Sequence, residues 1–250
     1  MGEAVLRVEA LGKTYGKYAA LKDVSFFVNR GDVLGIIGEN GAGKSTLLSL
    51  LAMIQKPACG TIFFDGKDIT KNKKEYLSKV GYVPQEIALF EELSGKENLA
   101  FFAKSYGIRR AELPEKIRRV CEVTDFPAEW LSKPVATYSG GMKRKINIGA
   151  ALLHEPQLLF LDEPAANLDF ESEEQVNGVI KRLAGKGTTV LYVGHQMEQM
   201  EELCNKFCLI RDGSRIAFGT AEELLGRNGQ KISLKQFWKD NGKTFPKEGE

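Results

Sequence analysis

A glycine-rich segment, residues 38–46, constrains the fold of this chain more than any other feature. Its sequence, GENGAGKST, fits the pattern G-x-x-x-x-G-K-[ST]; it follows the apolar run 33–37 and opens a predicted helix at 46–51. Glycines let backbone N–H groups converge on an anion, and the positive end of the following helix points to the same place. The segment predicts a buried strand, a phosphate-binding loop and a helix. A glycine-rich turn without a ligand is the plainer alternative.

The nine residues of this loop are the first candidate ligands for a nucleotide. They are Gly38, Glu39, Asn40, Gly41, Ala42, Gly43, Lys44, Ser45 and Thr46. In such a loop the lysine, here Lys44, reaches the β- and γ-phosphates, and the hydroxyl of Ser45 binds Mg²⁺.

A second candidate site lies at the end of another apolar run, in the sequence LLFLDE at 158–163. The four apolar residues predict a buried strand, and Asp162 and Glu163 come at its carboxyl end, where open parallel sheets bind ligands. We expect Asp162 to hold Mg²⁺ and Glu163 to polarise an attacking water. Because neighbouring residues of a strand point to opposite sides, only one carboxylate is expected to face the metal directly. An acidic turn after a buried strand is the alternative.

A helix start suited to an anion occurs at Tyr138-Ser139-Gly140-Gly141-Met142. Ser139 is a good N-cap residue, and the two glycines leave the first amides of the helix uncovered. The cations at 143–145 lie in the first turns, where they oppose the helix dipole, so a docked anion is expected to compensate them. A capped surface helix explains the same residues equally well.

Strands alternate with helices along the chain, which predicts an α/β fold with a mostly parallel core sheet. Between about residues 86 and 156 the apolar spacing is helical, so we expect a helical subdomain inserted into the core. The predicted domain covers residues 1–225. Residues 226–250 form a basic tail with six basic and three acidic residues, in which Ser233 and Gln236 predict the start of a short helix.

Composition excludes several classes of protein. The 250 residues are 43% hydrophobic and 27% charged, with a net charge of +2, so the basic excess of a nucleic-acid-binding protein is missing. No apolar run reaches the roughly 18–20 residues of a membrane helix, and the first twenty residues lack the apolar core of a secretion signal, so the cytosol is expected. The four cysteines and two histidines form no zinc pattern, and the cysteines are expected to be reduced and buried.

Together these motifs resemble the ATP-binding subunit of an ABC transporter, over about residues 4–225. GENGAGKST resembles the family's Walker A segment, LLFLDE its Walker B segment with the catalytic glutamate, and YSGGM its signature motif. Four more elements are similar to the family's, in the family's order. Tyr15 matches the aromatic that stacks on adenine, Gln85 the Q-loop, Asp169 the D-loop and His195 the switch histidine. The resemblance implies a P-loop NTPase of ABC type, with an antiparallel β subdomain, that binds and hydrolyses ATP with Mg²⁺.

The resemblance also implies partners. Two ATPase subunits, either two copies or this chain with a close relative, would pair head to tail around two ATP molecules. Residues 139–141 and Asp169 would then act in trans, on the site of the other subunit. Gln85 would contact Mg²⁺ and the attacking water, and His195 the γ-phosphate. The helical subdomain would dock onto a short cytoplasmic helix of an integral membrane permease, which makes the chain peripheral on the inner face of the cell membrane.

The signature departs from the family's commonest form, Leu-Ser-Gly-Gly-Gln, at Tyr138 and Met142. This form and the segment 93–107 resemble the drug- and lipid-exporter branch, so the predicted function is ATP-driven export through a separate permease. The alternative is a soluble ABC-type ATPase without transport that acts on DNA or ribosomes. Chromosome-type members insert long coiled coils, but no sustained heptads occur between Lys44 and Ser139. Ribosome-acting members usually carry two ATPase units, whereas this chain has one. A kinase or GTPase would lack the signature, and no Asn-Lys-x-Asp guanine motif occurs.

Overall fold

The structure, a computed structural model, describes residues 4–194, 196–227 and 230–242. The strands in chain order are β1 (Ala4–Tyr15), β2 (Tyr18–Asn29), β3 (Val33–Ile37), β4 (Cys59–Phe64), β5 (Lys67–Asp68), β6 (Val80–Val83), β7 (Leu158–Asp162), β8 (Thr189–Val193), β9 (Lys206–Arg211), β10 (Ser214–Thr220), β11 (Gly226–Arg227) and β12 (Gln230–Lys231). The α-helices are α1 (Lys44–Leu51), α2 (Lys73–Leu77), α3 (Gly95–Ser105), α4 (Leu113–Thr124), α5 (Gly140–Leu152), α6 (Phe170–Gly185), α7 (Met197–Leu203), α8 (Ala221–Leu225) and α9 (Leu234–Gly242). Every helix in these described ranges is too short or too polar to cross a membrane.

The chain divides into two compact units. The first comprises Met1–Asp68 and Tyr192–Glu250, and the second comprises Ile69–Leu191. The domain limits expected from the sequence, 1–225 with an insertion at about 86–156, stay a prediction.

The first unit contains an antiparallel sheet in the order β2-β1-β4-β5. Strands β1 and β2 pair along their whole length and end at the pair Tyr15↔Tyr18, where Gly16 turns the chain with a φ of +58°. Leu6 and Val8 are buried. The residue between them on β1 is exposed, so this strand shows the alternation of a sheet that is covered on one face.

A second strand group in the first unit leads to the glycine-rich loop. Strand β3 pairs in parallel with β9, and β9 pairs in antiparallel fashion with β10. All five residues of β3 are buried, as predicted for a strand covered on both faces. Helix α1 begins at Lys44, two residues before the predicted start at Thr46, because Gly43 is its N-cap.

The carboxyl-terminal helix α9 forms where the sequence predicts it. The hydroxyl of Ser233 accepts the N–H of Gln236 at 3.1 Å, which is one half of the predicted capping box. Leu234 is buried, and its N–H donates to the carboxylate of Glu201 on α7. The helix therefore packs through its first turn. Residues 243–250 of the predicted basic tail lie outside the described residues.

The second unit combines parallel strands with four of the longer helices. Strands β6 and β7 pair in parallel, and all residues of β7 are buried. Helix α3 begins with a capping box, in which the hydroxyl of Ser94 accepts the N–H of Glu97 at 3.2 Å and the Glu97 carboxylate accepts the N–H of Ser94 at 2.8 Å. Helices α3, α4 and α6 all contact α5. The α/β organisation predicted from the alternation of strands and helices is confirmed.

The cysteines differ from the prediction in one case. Cys121, Cys204 and Cys208 are buried, and burial raises the pKa of Cys208 to about 12, so its thiol stays protonated. Cys59 is exposed, which contradicts the expectation that all four are buried. It opens β4, and the first two residues of that strand are exposed.

Candidate active site

The phosphate loop, residues 38–46, lies in the first unit and passes close to its neighbours. A Cβ on Gly38 would lie 2.5 Å from the carbonyl oxygen of Ile210. Gly43 has a φ of +102°, and a Cβ there would lie 2.5 Å from the carbonyl oxygen of Ala20. Larger residues would therefore push the loop out of place at both ends, which explains why both positions are glycines.

Lys44 is folded back across this loop. Its side chain is buried, and Nζ donates to the carbonyl oxygens of Gly38 at 2.8 Å and Glu39 at 3.0 Å. Lys44 is also the first residue of α1, whose N-cap provides no side-chain cap for the first amides. A cation and a helix N-terminus thus lie within one loop, which is the chemistry that a polyphosphate requires.

Tyr18 contacts the phosphate loop, although no sequence motif predicts it. It lies opposite Tyr15 in the β1–β2 hairpin, and its hydroxyl donates to the carbonyl oxygen of Gly41 at 3.2 Å. Gly41 has a φ of +81°, and the N–H of the next residue, Ala42, donates to the carbonyl oxygen of Glu39 at 3.1 Å. Because C=O and N–H of one peptide plane point in opposite directions, the Tyr18 bond orients the Ala42 amide. In the sequence, the only sign of this contact is that two tyrosines flank a turn.

Tyr15, the predicted adenine-stacking residue, ends β1 and is 44% exposed. Its hydroxyl donates to Oε1 of Gln55 at 2.5 Å, and Nζ of Lys13 lies 5.3 Å from the ring centroid. The ring is therefore held by its polar end while much of its surface is open to a ligand.

The two carboxylates predicted to act on metal and water lie at the end of β7, in the second unit. Asp162 is the last residue of the strand and is buried. Glu163 follows with a φ of +46°, outside the strand. The argument that strand alternation separates the two side chains is therefore wrong, because β7 ends at Asp162 and the left-handed backbone at Glu163 redirects the chain.

Gln85 and Glu163 are brought together by strand pairing. Val83 on β6 pairs with Leu161 on β7, so the segments after both strands leave at the same edge. Nε2 of Gln85 donates to Oε2 of Glu163 at 3.1 Å, across 78 residues of sequence.

The buried carboxylate of Asp162 also affects a residue of β6. Burial, together with the charge of Asp162, raises the pKa of Tyr82 to about 12. The carboxylate and this ring are therefore electrostatically coupled, and the tyrosine stays neutral at physiological pH.

The signature segment begins α5 as the sequence predicts. The hydroxyl of Ser139 accepts the N–H of Met142 at 3.2 Å and caps the helix. A Cβ on Gly141 would lie 2.7 Å from Oγ of Ser172, at the start of α6. The glycine therefore permits a close approach of two helix starts.

Tyr138, one of the two departures from the family's commonest signature, is a packing residue. It is buried, and its hydroxyl donates to the carbonyl oxygen of Trp130 at 2.7 Å. A Cβ on Gly95 would lie 2.4 Å from the same hydroxyl. The tyrosine fixes the chain just before α5 and makes its contacts with Trp130 and Gly95, so the departure at Tyr138 does not alter the amides at 139–141.

The three cations that follow the signature find partners within the fold. Lys143 pairs with the carboxylate of Glu91 at 2.5 Å. Arg144 and Lys145 are buried, and both donate to backbone carbonyl oxygens. Buried cations take the nearest acceptors that the fold offers, and the sequence did not indicate these partners. The expectation that a docked anion also compensates the charges stays a prediction.

Asp169, expected to act at a subunit interface, also has a local role. It caps α6, since Oδ1 accepts the N–H of Ser172 and Oδ2 its hydroxyl, both at 2.9 Å. These bonds hold the pKa of Asp169 below its usual range. His195, the predicted switch histidine, lies outside the described residues. Within the part of the chain that the structure describes, no group of three or more His, Cys, Asp or Glu side chains is arranged to hold a metal ion.

The glycine-rich loop before α1, the acidic end of β7 and the capped glycine start of α5 are the elements of an ATP-binding cassette. The chain matches the ABC transporter family over residues 21–166 and belongs to that family. It is an ABC ATPase, as its motifs predict.

Relatives and solved structures agree with this assignment. The linearmycin resistance ATP-binding protein LnrL of Bacillus subtilis (strain 168) is 40% identical over 225 residues, which cover 90% of this chain and 72% of that protein. The daunorubicin resistance ATP-binding protein DrrA3 of Streptomyces coeruleorubidus is 36% identical over 92% of this chain and 72% of its own length. A solved ATP binding subunit of an ABC transporter has a TM-score of 0.83 at 30% identity and covers 96% of this chain and 100% of its own. The predicted P-loop NTPase fold of ABC type is confirmed.

Proposed function

We propose that this chain hydrolyses ATP to drive the export of a substrate through a separate integral membrane permease. One observation carries the proposal. A linearmycin resistance ATP-binding protein is 40% identical to this chain, over 90% of its length. A relative named as a Nod factor export ATP-binding protein, 33% identical over 222 residues, supports the same direction of transport. The proposed ATPase domain is residues 1–225, with the helical subdomain at about 86–156 and a tail at 226–250.

In this proposal ATP binds on the phosphate loop. The ring of Tyr15 stacks on adenine, and the amides of residues 38–46 surround the phosphates. Lys44 exchanges its bonds to the loop carbonyls for the β- and γ-phosphates. The N-terminus of α1 adds a favourable dipole at the same place.

Water activation is assigned to Glu163. Its carboxylate accepts the water proton, and Gln85, which already donates to this carboxylate at 3.1 Å, orients it. Mg²⁺ would be held by Ser45, Gln85 and Asp162, because a hydroxyl, an amide oxygen and a carboxylate are the hard oxygen ligands that it prefers. When bound, it would neutralise charge on the phosphate oxygens. His195 is assigned to the γ-phosphate.

A second ATPase subunit, either another copy or a close relative, completes the proposed site. Ser139, Gly140 and Gly141 present the amides of α5 to the ATP of the partner, and Asp169 links the two sites. The glycine start of α5 supports this arrangement, because Ser139 caps the helix through the N–H of Met142 and the first amides of a helix lie at the positive end of its dipole.

Docking to the permease is assigned to exposed aromatic residues of the helical region. Phe90 is 45% exposed and Phe101 50% exposed, with ring centroids 4.9 Å apart. Phe102 extends this cluster, with its ring centroid 5.5 Å from that of Phe101. Such exposed apolar side chains are typical of a surface that a partner covers. The chain would then lie on the inner face of the cell membrane, held there by its permease.

Deletion of the gene from its native host tests the proposal. We expect the deletion strain to accumulate more of a fluorescent amphiphilic drug such as daunorubicin. Wild-type chain should restore efflux, whereas Glu163→Gln should not. The chain should also sediment with membranes and be released by alkaline carbonate. ATPase activity without membrane association or any effect on accumulation would favour the soluble, non-transport ATPase.

A further inference from the structure

Helix α5 holds the segment that follows β6 at two points. Nη1 of Arg144 donates to the carbonyl oxygen of Pro84 at 3.1 Å, and Nη2 donates to that of Gln85 at 2.9 Å. Less than one turn further along the helix, Oδ1 of Asn147 accepts the N–H of Ala88 at 3.2 Å. Arg144 and Asn147 are together called the α5 clamp.

Both side chains of the α5 clamp are buried, with Arg144 3% and Asn147 4% exposed. A buried guanidinium requires acceptors, and here two consecutive carbonyl groups take its two outer nitrogens. Because the guanidinium is planar, these bonds restrict the direction of both carbonyls, which the rotating ammonium of a lysine would not do. The segment 84–88 is therefore fixed in orientation as well as in position.

Gln85 is the residue that connects the α5 clamp to the proposed chemistry. Its carbonyl accepts from Arg144, and its side-chain amide donates to Glu163 at 3.1 Å. Fixing the main chain at Gln85 limits the positions that this amide can reach. Arg144 lies on the helix that Ser139 caps, so one rigid element joins the signature segment to the Gln85–Glu163 contact.

We propose that Arg144 is a positioning residue for ATP hydrolysis. Through the α5 clamp it holds Gln85 against Glu163, so that a phosphate bound at the capped end of α5 affects the group that activates water. The inference rests on the proposed function, because it takes Glu163 as the general base. It predicts that loss of the clamp slows hydrolysis more than it weakens ATP binding.

Two substitutions test this inference in the purified full-length chain. Arg144→Lys keeps the positive charge but removes the planar fork, and Asn147→Ala removes the second point of attachment. We expect Arg144→Lys to lower kcat about 10- to 100-fold, the range for a small misplacement of a catalytic group, while KM for ATP stays within about threefold. Asn147→Ala should act in the same direction. The double variant should lose less than the product of the two effects, since both residues hold one segment.

Lys145→Met is the matched control. Lys145 is the next residue on the same helix, is 6% exposed, and donates to the carbonyl oxygen of Asp125 at 3.0 Å, away from segment 84–88. Its loss should lower the urea midpoint but leave kcat within about twofold of wild type. Hydrogen exchange in peptides that span 84–88 should become faster in Arg144→Lys and stay unchanged in Lys145→Met.

Several results would overturn the inference. One is wild-type kcat in both clamp variants; another is a raised KM at unchanged kcat, which would assign Arg144 to ATP binding. An equal loss of kcat in Lys145→Met would show that the clamp variants lose activity through general destabilisation of the fold. If Arg144→Lys does not fold, the kcat of Asn147→Ala alone tests the role of the α5 clamp. A wild-type chain that does not hydrolyse ATP would count against the proposed function instead, so the two failures are distinguishable.

Discussion

Replacement of Glu163 by glutamine separates the chemistry of this side chain from its contacts. Oε2 of Glu163 accepts a hydrogen bond from Nε2 of Gln85 at 3.1 Å, and the amide oxygen of a glutamine can accept the same bond. The φ of +46° at this position makes the same demand on both residue types, because they are identical as far as Cγ. The variant therefore keeps the shape and the partner of Glu163 but cannot take a proton from water.

We expect Glu163→Gln to lower turnover roughly 10²–10⁴-fold, the usual loss for a general base. This corresponds to about 3–5 kcal/mol of activation free energy. ATP affinity should survive because Glu163 is not part of the phosphate loop, and the ATP-bound dimer should accumulate. Lys44→Ala should behave differently. Its Nζ, now bonded to the carbonyl oxygens of Gly38 and Glu39, is the group assigned to the phosphates, so its loss should weaken nucleotide binding itself.

The assay combines nucleotide titration, phosphate release and light scattering on the same preparations. Glu174→Gln is the control, because Glu174 is an exposed acid on α6 and should be replaceable without loss of turnover. The reasoning is refuted if Glu163→Gln hydrolyses ATP within about threefold of wild type, since a general base contributes far more. It is also refuted if the variant loses nucleotide affinity as Lys44→Ala does. A water held by His195 would then be the next hypothesis.

Four further substitutions test other parts of the site and the fold. Tyr18→Phe removes the donor to the Gly41 carbonyl and should weaken ATP binding about 2- to 10-fold, the contribution of one neutral hydrogen bond. Calorimetric titration measures the affinity, and an unchanged value would contradict a role of Tyr18 in shaping the phosphate loop. Ser139→Arg places a bulky cation at the capped start of α5 and should keep the Glu163→Gln protein monomeric at saturating ATP, whereas a dimer in light scattering would argue against the trans contact. Tyr138→Phe removes the buried donor to the Trp130 carbonyl and should lower the free energy of unfolding by about 1–2 kcal/mol, so an unchanged urea midpoint would show that this bond contributes nothing. Burial lowers the pKa of His154 from its ordinary value of 6.5, so below that pH the unfolded chain binds more protons and stability should fall as the pH decreases. Urea unfolding at about pH 5.5 and about pH 7.5 should show a smaller difference in His154→Gln than in wild type, and equal differences would exclude this histidine as the cause.

Structure formed by residues close in sequence could be predicted from the sequence alone. The phosphate loop is an example, because its glycines, Lys44 and the helix that follows act through neighbouring backbone groups. The caps at Ser139 and Ser233 are equally local, since a cap bonds an amide three residues further on. The limits of an element depend on less local features. Helix α1 begins two residues before its predicted start because a glycine serves as the N-cap.

The partners of buried charges could not be predicted in this way. For the three cations after the signature, the sequence suggests an anion as the partner. In the structure Arg144 and Lys145 donate to backbone carbonyls, which every residue possesses and which carry no sequence signal. The contact of Tyr18 with Gly41 was missed for the same reason, because its acceptor is also a backbone carbonyl.

The sequence by itself thus determined the class of fold, the phosphate loop and the identity of the acidic residues, because these depend on local backbone geometry and on the period of apolar residues. Only the tertiary structure decided which distant groups meet. Gln85 reaches Glu163 because β6 and β7 pair in parallel and end at one edge, 78 residues apart in sequence. Arg144 reaches Gln85 across 59 residues because α5 packs against β6. Such contacts depend on how whole elements pack, and this packing is a property of the complete core rather than of any one segment.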